Sequence, residues 1–208
     1  MKVIFLDVDG VLNADSDCIY QSGPHKGEWK SRCPHVQAGY WERYLGIDNT
    51  KVKRLAKIVQ ETGAIIVLVS SWKDGYENFL KTHRNRIGRY LFNKLSQQGL
   101  VIHSTTLSQE KIRDSYGTYQ RYVRGNGVLH WLEQHKGEVE CWIALDDESF
   151  DYIPDQHRHI CQTNGFDRED GGLNERVMNT AIKMLNETDG IFPDDLKEDN
   201  EDELDYKI

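Results

Sequence analysis

The sequence predicts an α/β protein built on a mainly parallel sheet of five strands. Short continuous apolar runs alternate along the chain with segments whose apolar residues recur at helical spacing. Two of these runs end in paired aspartates, Asp7 with Asp9 and Asp146 with Asp147. Open α/β sheets bind ligands at the carboxyl ends of their strands, so the sequence predicts an acidic site at that edge.

The first strand is predicted at residues 3–6, where Val-Ile-Phe-Leu forms a buried apolar run. Asp7 and Asp9 follow it two residues apart, so on extended backbone their carboxylates point the same way. The two charges repel each other unless a cation neutralises them or one carboxyl is protonated. This requirement favours a site for Mg2+, which prefers oxygen ligands.

Other interpretations of the stretch from Asp7 to Gly10 stay open at this point. Asp and Gly both favour turns, so the stretch can be a plain turn after a strand. The metal-binding Asp-x-Asp of a sugar transferase is a further alternative. An EF-hand loop fits poorly, because Leu12 and Cys18 stand where that loop has its glycine and its final acid.

The bulk properties indicate a single domain, residues 1–186, followed by an acidic segment, residues 187–208. This segment holds ten acids and two lysines, which accounts for the whole net charge of −8 and leaves 24 acids and 24 bases before it. Such a composition is typical of a disordered, solvated tail. No apolar run approaches the roughly 20 residues of a membrane span, and no signal region opens the chain, so we expect a cytoplasmic protein without a membrane partner.

The four cysteines are few and widely spaced, which does not indicate a disulfide framework. Cys141 and Cys161 lie in apolar runs, and we expect them in the core. One group has residue types that bind zinc, although its spacing matches no common pattern: Cys18, His25, Cys33 and His35.

Two insertion regions flank the predicted site. Residues 13–48 are rich in glycine, proline and aromatics, and a stretch of this length directly after an active-site strand is typical of a flap or lid. Its aromatic side chains either pack within the loop, which we favour, or stack on a substrate ring. Residues 73–123 form the second region, with two predicted helices over 73–98, a short strand at 100–103 and a polar stretch after it.

The remaining elements follow from the same patterns. The predictions are helices over 49–62 and 124–135, strands at 64–69, 140–145 and 159–163, and a last helix with Met178 and Leu185 on its apolar face. A right-handed parallel crossover places Ser70 or Ser71, which follow the second strand, near Asp7. Either serine can instead cap the helix that starts near Lys73.

The helix around residues 85–95 carries several bases that alternate with Tyr90 and Phe92. A basic helix of this kind is usually a solvated surface. It is also where we expect a polyanion to touch a domain that is otherwise neutral.

Four features now stand in order along the chain: the Asp7–Asp9 pair, Ser70, a basic residue at Arg124 and the Asp146–Asp147 pair. This order resembles the four-motif signature of the haloacid dehalogenase (HAD) superfamily. More narrowly, the stretches D-V-D-G-V-L-N, V-L-V-S-S-W, R-G-N-G-V-L-H-W-L, L-D-D-E and G-L-N resemble the HAD domains described with Swiss army knife RNA repair proteins. The resemblance implies a three-layer Rossmannoid fold with helices on both faces and a small lid.

The resemblance also implies a magnesium-dependent phosphatase and a role for each motif residue. Asp7 is the implied nucleophile that forms an aspartyl-phosphate, and Asp9 protonates the leaving alkoxide and then activates water. Ser70 is implied to hydrogen-bond the transferring phosphoryl group. The implied ligands of Mg2+ are Asp7, the backbone carbonyl of Asp9, Asp146 and Asp147. The expected substrate-binding residues are Gly10, Ser71, Lys111 and Arg113.

The cation that balances the phosphoryl charge departs from the family pattern. The family usually has lysine at this position, whereas this chain has Arg124 at the start of the helix before the fourth strand. Arginine can hold a phosphate in a bidentate manner. Lys111 and Arg113, in the preceding loop, are rivals for the same role.

The substrate is predicted only by class. Neither insertion is long enough for a full second domain. In the family pattern, the lack of a large second domain goes with an open site and a phosphorylated polymer as substrate. The RNA-repair resemblance implies terminal phosphates of nucleic acid, and a nucleotide or sugar phosphate is the alternative.

Two alternatives come from other classes of protein. One is a receiver-like phospho-acceptor. It is disfavoured because the acid pair and the acceptor aspartate of a receiver follow the first and third strands, whereas the acid pairs of this chain follow the first and fourth strands. The other is a HAD-like protein that only binds, which is disfavoured because all four motif positions hold competent residue types.

Overall fold

The computed structural model describes residues 1–18, 20, 22–28, 46–107, 122–165, 167 and 169–187. The strands are β1 (Lys2–Leu6), β2 (Ile65–Leu68), β3 (Ile102–Thr105), β4 (Cys141–Asp146) and β5 (Ile160–Gln162). The α-helices are α1 (Asn49–Thr62), α2 (Lys73–Thr82), α3 (Arg86–Ser96), α4 (Val123–Gln134) and α5 (Glu175–Asn186). Short 3-10 helices cover Asp15–Cys18 and Pro154–His159.

The five strands form one parallel sheet in the order β3-β2-β1-β4-β5. The strand β1 lies at the centre, with Leu6 beside Leu68 of β2 on one side and Leu145 of β4 on the other. This arrangement confirms the predicted α/β Rossmannoid fold class. It also brings the residues that follow β1, β2 and β4 to one edge of the sheet.

Apolar side chains fill both faces of the sheet. On one face, residues such as Ile4 and Leu6 pack with apolar residues of α1, α3 and α5. On the other face, Val3 and Phe5 pack with residues of α4, including Trp131. The alternation along β1 therefore sends successive side chains into two separate cores, as expected of a sheet covered on both sides.

Capping residues determine where the helices begin and end. The Asp48 carboxylate accepts hydrogen bonds from the first turn of α1, and Gly63 ends that helix in the left-handed region at φ +68°. After α3, the Leu100 amide returns to the Leu95 carbonyl at 3.1 Å. Leu100 therefore belongs to the end of α3, which is why β3 begins at Ile102 and not at the predicted residue 100.

Several predictions fall wholly or partly outside the described residues. Of the 13–48 insertion the structure covers 13–18, 20, 22–28 and 46–48, and it omits 108–121 and 188–208. The lid, the tail and the domain boundaries therefore stay predictions. Cys33 and His35 of the zinc-type group also lie in the omitted part.

Cys161 is buried, Cys141 is half-buried, and both are free thiols. Within the described ranges no helix has the length and apolarity to cross a membrane.

Candidate active site

The first two acidic residues of the site lie at the ends of neighbouring central strands. Asp7 directly follows β1, its amide donates to the Leu145 carbonyl at 2.9 Å, and only 1% of its surface is exposed. Asp146 ends β4 and is fully buried. Its two carboxylate oxygens accept hydrogen bonds from the Glu148 amide at 2.9 Å and the Tyr152 hydroxyl at 2.7 Å. Two buried carboxylates thus stand side by side, as the sheet order requires.

Arg124 is the cation nearest to this pair among the described residues. Its Nη1 atom lies 2.9 Å from Asp7 Oδ2 and 2.6 Å from each carboxylate oxygen of Asp146. Burial opposes the charged form of Arg124, but Asp7 and Asp146 raise the pKa of its guanidinium above the usual value. Burial and the charge of Asp7 raise the pKa of Asp146 to about 7, even with Arg124 beside it.

The start of α4 holds Arg124 in this position. The Asp151 carboxylate accepts hydrogen bonds from the backbone amides of Val123 at 2.7 Å and Arg124 at 3.3 Å. Gly125 lies so close to the chain after β4 that a Cβ there would stand 2.7 Å from the Ile153 nitrogen. A glycine at this position therefore allows the first turn of α4 to approach the acids.

Asp9 is held by two side-chain donors. Its Oδ1 accepts from Asn13 Nδ2 at 2.9 Å, and its Oδ2 accepts from Trp72 Nε1 at 2.9 Å. Burial raises the pKa of Asp9 to about 6, and the charge of Asp7 adds to this, although both hydrogen bonds act in the opposite direction. A carboxyl with such a pKa can be protonated near neutral pH and is suited to general acid and base catalysis.

The turn that follows β2 contributes three side chains to this edge of the sheet. Ser70 is fully buried, and the Lys73 amide donates to its backbone carbonyl at 3.1 Å. Trp72 reaches Asp9 from the same turn. The Lys73 side chain is 3% exposed, and its ammonium donates to Thr106 Oγ1 at 3.2 Å. Burial lowers the pKa of Lys73; the charge of Arg124 also lowers it, while Asp74 opposes the shift.

Asp147 lies against a wall made by two glycines. A Cβ on Gly10, which has φ +70°, would stand 2.2 Å from Asp147 Oδ2, and one on Gly165 would stand 2.6 Å from the same atom. The Thr163 hydroxyl donates to the Gly10 carbonyl at 2.7 Å and joins the loops after β1 and β5. Burial raises the pKa of Asp147 to about 6, with Asp7 and Glu148 adding to the shift.

The carboxylates have the chemistry and spacing of a divalent cation site. One oxygen from each of Asp7, Asp146 and Asp147 lies within 4.8 Å of the others. Asp7 Oδ2 is buried and accepts no hydrogen bond from the described residues, although Arg124 lies at ion-pair distance. Hard carboxylate oxygens are the donors that Mg2+ prefers, so the residues fit this ion.

The structure brings together most of the residues that the sequence singled out. Asp7, Asp9, Ser70, Arg124 and the Asp146–Asp147 pair all lie at the carboxyl edge of the sheet. Ser71 differs from its neighbour because its side chain is exposed. Lys111 and Arg113 lie outside the described residues, so their rivalry with Arg124 stays open.

Three further side chains at the site were not singled out from the sequence. The sequence places Trp72 only at the end of the V-L-V-S-S-W stretch and Lys73 only near the start of a helix, and it gives no signal for Tyr152. Lys73 does follow Ser70 by three residues, which is a weak signal for a cation near the same ligand. The Tyr152 hydroxyl reaches Asp146 through a loop, and no local spacing predicts that contact.

Fold and site together define a Rossmannoid α/β protein with an acidic strand-end site, a class that includes many phosphate-handling enzymes. Comparison with protein families then identifies the particular family. Residues 3–175 match the family described as the HAD domain in Swiss Army Knife RNA repair proteins, and the chain belongs to it. This membership supports phosphohydrolase activity in general. Neither curated proteins nor solved structures give a match.

Proposed function

We propose that this protein is a magnesium-dependent phosphohydrolase that removes terminal phosphates from nucleic acid through an aspartyl-phosphate. The observation that carries the proposal is that the carboxyls of Asp7 and Asp9, two residues apart, have different surroundings. Asp7 is buried in contact with a cation, whereas burial raises the pKa of Asp9 to about 6. One carboxylate is thus suited to attack phosphorus, and the other is suited to hold a proton.

The proposed reaction has two steps at these residues. In the first, a carboxylate oxygen of Asp7 bonds to phosphorus, the bond to the leaving oxygen breaks, and Asp9 gives that oxygen its proton. In the second, Asp9 takes a proton from water, whose oxygen bonds to phosphorus and displaces the Asp7 carboxylate. The products are inorganic phosphate and the dephosphorylated substrate, and both carboxyls return to their starting states.

The surrounding residues would reduce the electrostatic cost of these steps. Asp7, Asp146 and Asp147 would hold Mg2+, which neutralises charge between the nucleophile and the phosphoryl group when bound. Ser70 would donate its hydroxyl proton to a phosphoryl oxygen. Arg124 and Lys73 would balance the negative charge that the phosphoryl group brings into a buried site.

The assignment to nucleic-acid ends rests on family membership and on an exposed basic surface described below. A small phosphorylated metabolite, such as a nucleotide or sugar phosphate, is the alternative substrate. The two substrate classes differ in the contacts they need beyond the phosphoryl group, so a comparison of substrates separates them.

The test is phosphate release by the full chain, with Mg2+ and with a chelator. The substrates are an aryl phosphate, a nucleoside monophosphate, and oligonucleotides with a phosphate at either end. We expect release that requires Mg2+, is abolished in Asp7→Asn and is unchanged in Asp155→Asn, which alters an exposed carboxylate. Preference for the oligonucleotides supports nucleic-acid ends, and preference for the monophosphate supports the alternative.

Two results would contradict the mechanism. The first is full activity of Asp7→Asn, which would exclude this residue as the nucleophile. The second is stable phosphorylation of the protein without turnover, which would indicate a phospho-acceptor.

A further inference from the structure

The last turn of α2, the connection after it and α3 carry an excess of positive charge, although the first half of α2 also holds Asp74 and Glu77. Residues 78–107 contain five lysines and arginines and no aspartate or glutamate, although the whole chain has a net charge of −8. We call the surface that the five side chains form the α2–α3 surface; its members are Lys81, Arg84, Arg86, Arg89 and Lys94. Four of them are exposed, and Lys94 is half-buried.

The charges of this surface have no carboxylate partners within the ranges that the structure describes. None of the ion pairs found there involves any of the five residues. Lys94 instead donates to the Asn49 side chain at 2.7 Å and lies 5.6 Å from the ring centre of Tyr90. Arg89 donates to the His83 carbonyl. The charge of the surface is therefore available to an anion.

Helix stability does not explain these charges. The helix α3 begins at Arg86 and has no acid in its first turn, which is opposite to the preference of the helix dipole. Arg86 and Arg89 are three residues apart, so two like charges are neighbours on the helix surface, a mildly unfavourable arrangement. An anionic partner would turn this arrangement into a favourable one.

Exposed apolar side chains accompany the bases. Leu80 is 50% exposed, Phe92 is 41% exposed and Ile87 is 40% exposed. The Phe92 ring packs on Phe79 with centres 5.5 Å apart, so it is held in place while part of it faces solvent. Basic side chains around an exposed ring, here that of Phe92, are typical of proteins that bind single-stranded nucleic acid, whose unpaired bases can stack on the ring.

Two elements connect the α2–α3 surface to the candidate active site. The helix α2 starts at Lys73, in the turn that also holds Ser70, and Lys81 lies about 12 Å further along the helix. At the other end, Lys94 bonds to Asn49. Asp48, the residue before Asn49, donates its amide to the Leu12 carbonyl, in the loop after β1, at 2.9 Å. A nucleic-acid chain bound along the surface would thus extend toward elements that carry the site.

We propose that the α2–α3 surface binds the phosphodiester backbone of a single-stranded nucleic acid, RNA or DNA, whose end enters the active site. The binding is argued from the five charges and the Phe92 ring; only the entry of a terminal phosphate rests on the proposed function. The acidic residues 187–208 of the same chain are the competing occupant. The exposed Phe92 ring favours nucleic acid, because a base can stack on it.

The test measures binding and not turnover. The full chain carrying Asp7→Asn is titrated with labelled single-stranded RNA and DNA that lack terminal phosphates, at several salt concentrations. The variant adds Lys81→Gln, Arg84→Gln and Arg86→Gln, three exposed residues whose side chains form no hydrogen bond in the described part of the chain. The matched control adds Lys53→Gln, Lys57→Gln and Arg176→Gln, exposed bases on α1 and α5.

We expect the α2–α3 variant to bind at least about tenfold more weakly and the control to bind like the parent. The slope of log affinity against log salt should fall by about 2 in the variant, because each lost contact to a single strand contributes roughly 0.7. Equal affinity of variant and control would overturn the proposal. Unchanged affinity with a lowered unfolding temperature in the α2–α3 variant would also overturn it and would indicate that the chain's own acidic residues occupy the surface.

Phosphate release from an aryl phosphate by the chain with Asp7 intact separates this proposal from the proposed function. Phosphate release without oligonucleotide binding that depends on the α2–α3 surface would refute the surface proposal and leave the enzyme proposal standing. Binding that depends on this surface, without release from any substrate, would leave the surface proposal standing and refute the enzyme proposal.

Discussion

Two buried lysines have opposite surroundings. Lys51 is 4% exposed and forms an ion pair with Asp17, whereas Lys73 is 3% exposed and donates to the neutral hydroxyl of Thr106. A buried ammonium without a close carboxylate partner costs free energy of folding. Lys73 at the site edge is therefore better explained by phosphate binding than by stability.

The first prediction contrasts these two residues. Lys73→Met should raise the free energy of unfolding by about 1 kcal/mol, because it removes a poorly compensated buried charge. The same change should lower kcat/KM for phosphate release about 100-fold, because a charge partner of the phosphoryl group is lost. Lys51→Met should instead destabilise the protein by about 3 kcal/mol, because it removes the buried cation that pairs with the Asp17 carboxylate. Denaturant unfolding and steady-state kinetics measure both effects, and a destabilised Lys73→Met would contradict the argument.

The second prediction concerns Trp72, which we regard as a positioning residue for Asp9. Trp72→Phe removes the indole donor to Asp9 Oδ2 and should lower kcat about tenfold with little change in KM, because the proton donor is less well oriented. It should also move the alkaline limb of the kcat/KM pH profile upward, because the lost bond favoured ionised Asp9 and the first step needs Asp9 protonated.

The matched control for Trp72 is Trp131→Phe. Trp131 Nε1 donates to Ser104 Oγ at 2.9 Å, so that change also removes one hydrogen bond of a buried indole. It should leave kcat and the pH–rate profile unchanged. Similar kinetic losses in both variants would show that the effect of Trp72 is merely structural.

At the scale of elements, the packing of β4 against the residues that lead into β5 contains a buried histidine. His159 stacks on Trp142 with ring centres 4.0 Å apart, and its Nδ1 donates to the Trp142 carbonyl at 3.1 Å. Burial lowers the pKa of His159 from 6.5 to about 4, the carbonyl acting in the opposite direction. The folded protein therefore holds this ring neutral.

The third prediction follows from that shift. As the pH falls, the unfolded chain binds a proton at His159 before the folded protein does. The contribution of neutral His159 to the free energy of unfolding is therefore complete above pH 6.5 and is lost between about pH 6.5 and pH 4. At pH 5 the loss should be about 2 kcal/mol. The buried carboxyls with raised pKa values act in the opposite direction, so the measurement is the difference between wild type and His159→Phe. Urea unfolding curves whose difference does not change with pH would contradict the prediction.

At the scale of the whole molecule, charge is unevenly distributed along the chain. Residues 1–186 hold equal numbers of acids and bases, and the acids of residues 187–208 account for the net charge of −8. No motif of the site lies after Asn186. We therefore expect the acidic segment to affect long-range electrostatics and not the chemistry at Asp7.

The fourth prediction is that removal of residues 188–208 leaves phosphate release from an aryl phosphate unchanged. Affinity for oligonucleotides should rise at low salt, because repulsion of the polyanion is reduced, and this gain should disappear at high salt, where such forces are screened. The comparison uses initial rates and anisotropy titrations of both chains. A large loss of turnover in a soluble, folded truncated chain would show that the segment contributes to the site.

The sequence by itself determined the sheet and its acidic edge. Continuous apolar runs that end at Asp7 and Asp146 predict buried strands with an acid at their ends. This prediction is local, because a buried strand and the polar residue after it are neighbours in the chain. The crossover rule then places Ser70 at the same edge without further information. Family resemblance implies the roles proposed for these residues.

Only the tertiary structure decided which side chains meet at that edge. Contacts such as Arg124 with both Asp7 and Asp146, Trp72 with Asp9, and the burial of Lys73 join residues far apart in the chain. They depend on the angles of turns and on how α4 packs against the loop after β4, which local apolar spacing does not encode. The spacing of residues predicts an element because backbone preference is local, whereas the partner of a charged side chain is set by the packing of the whole fold.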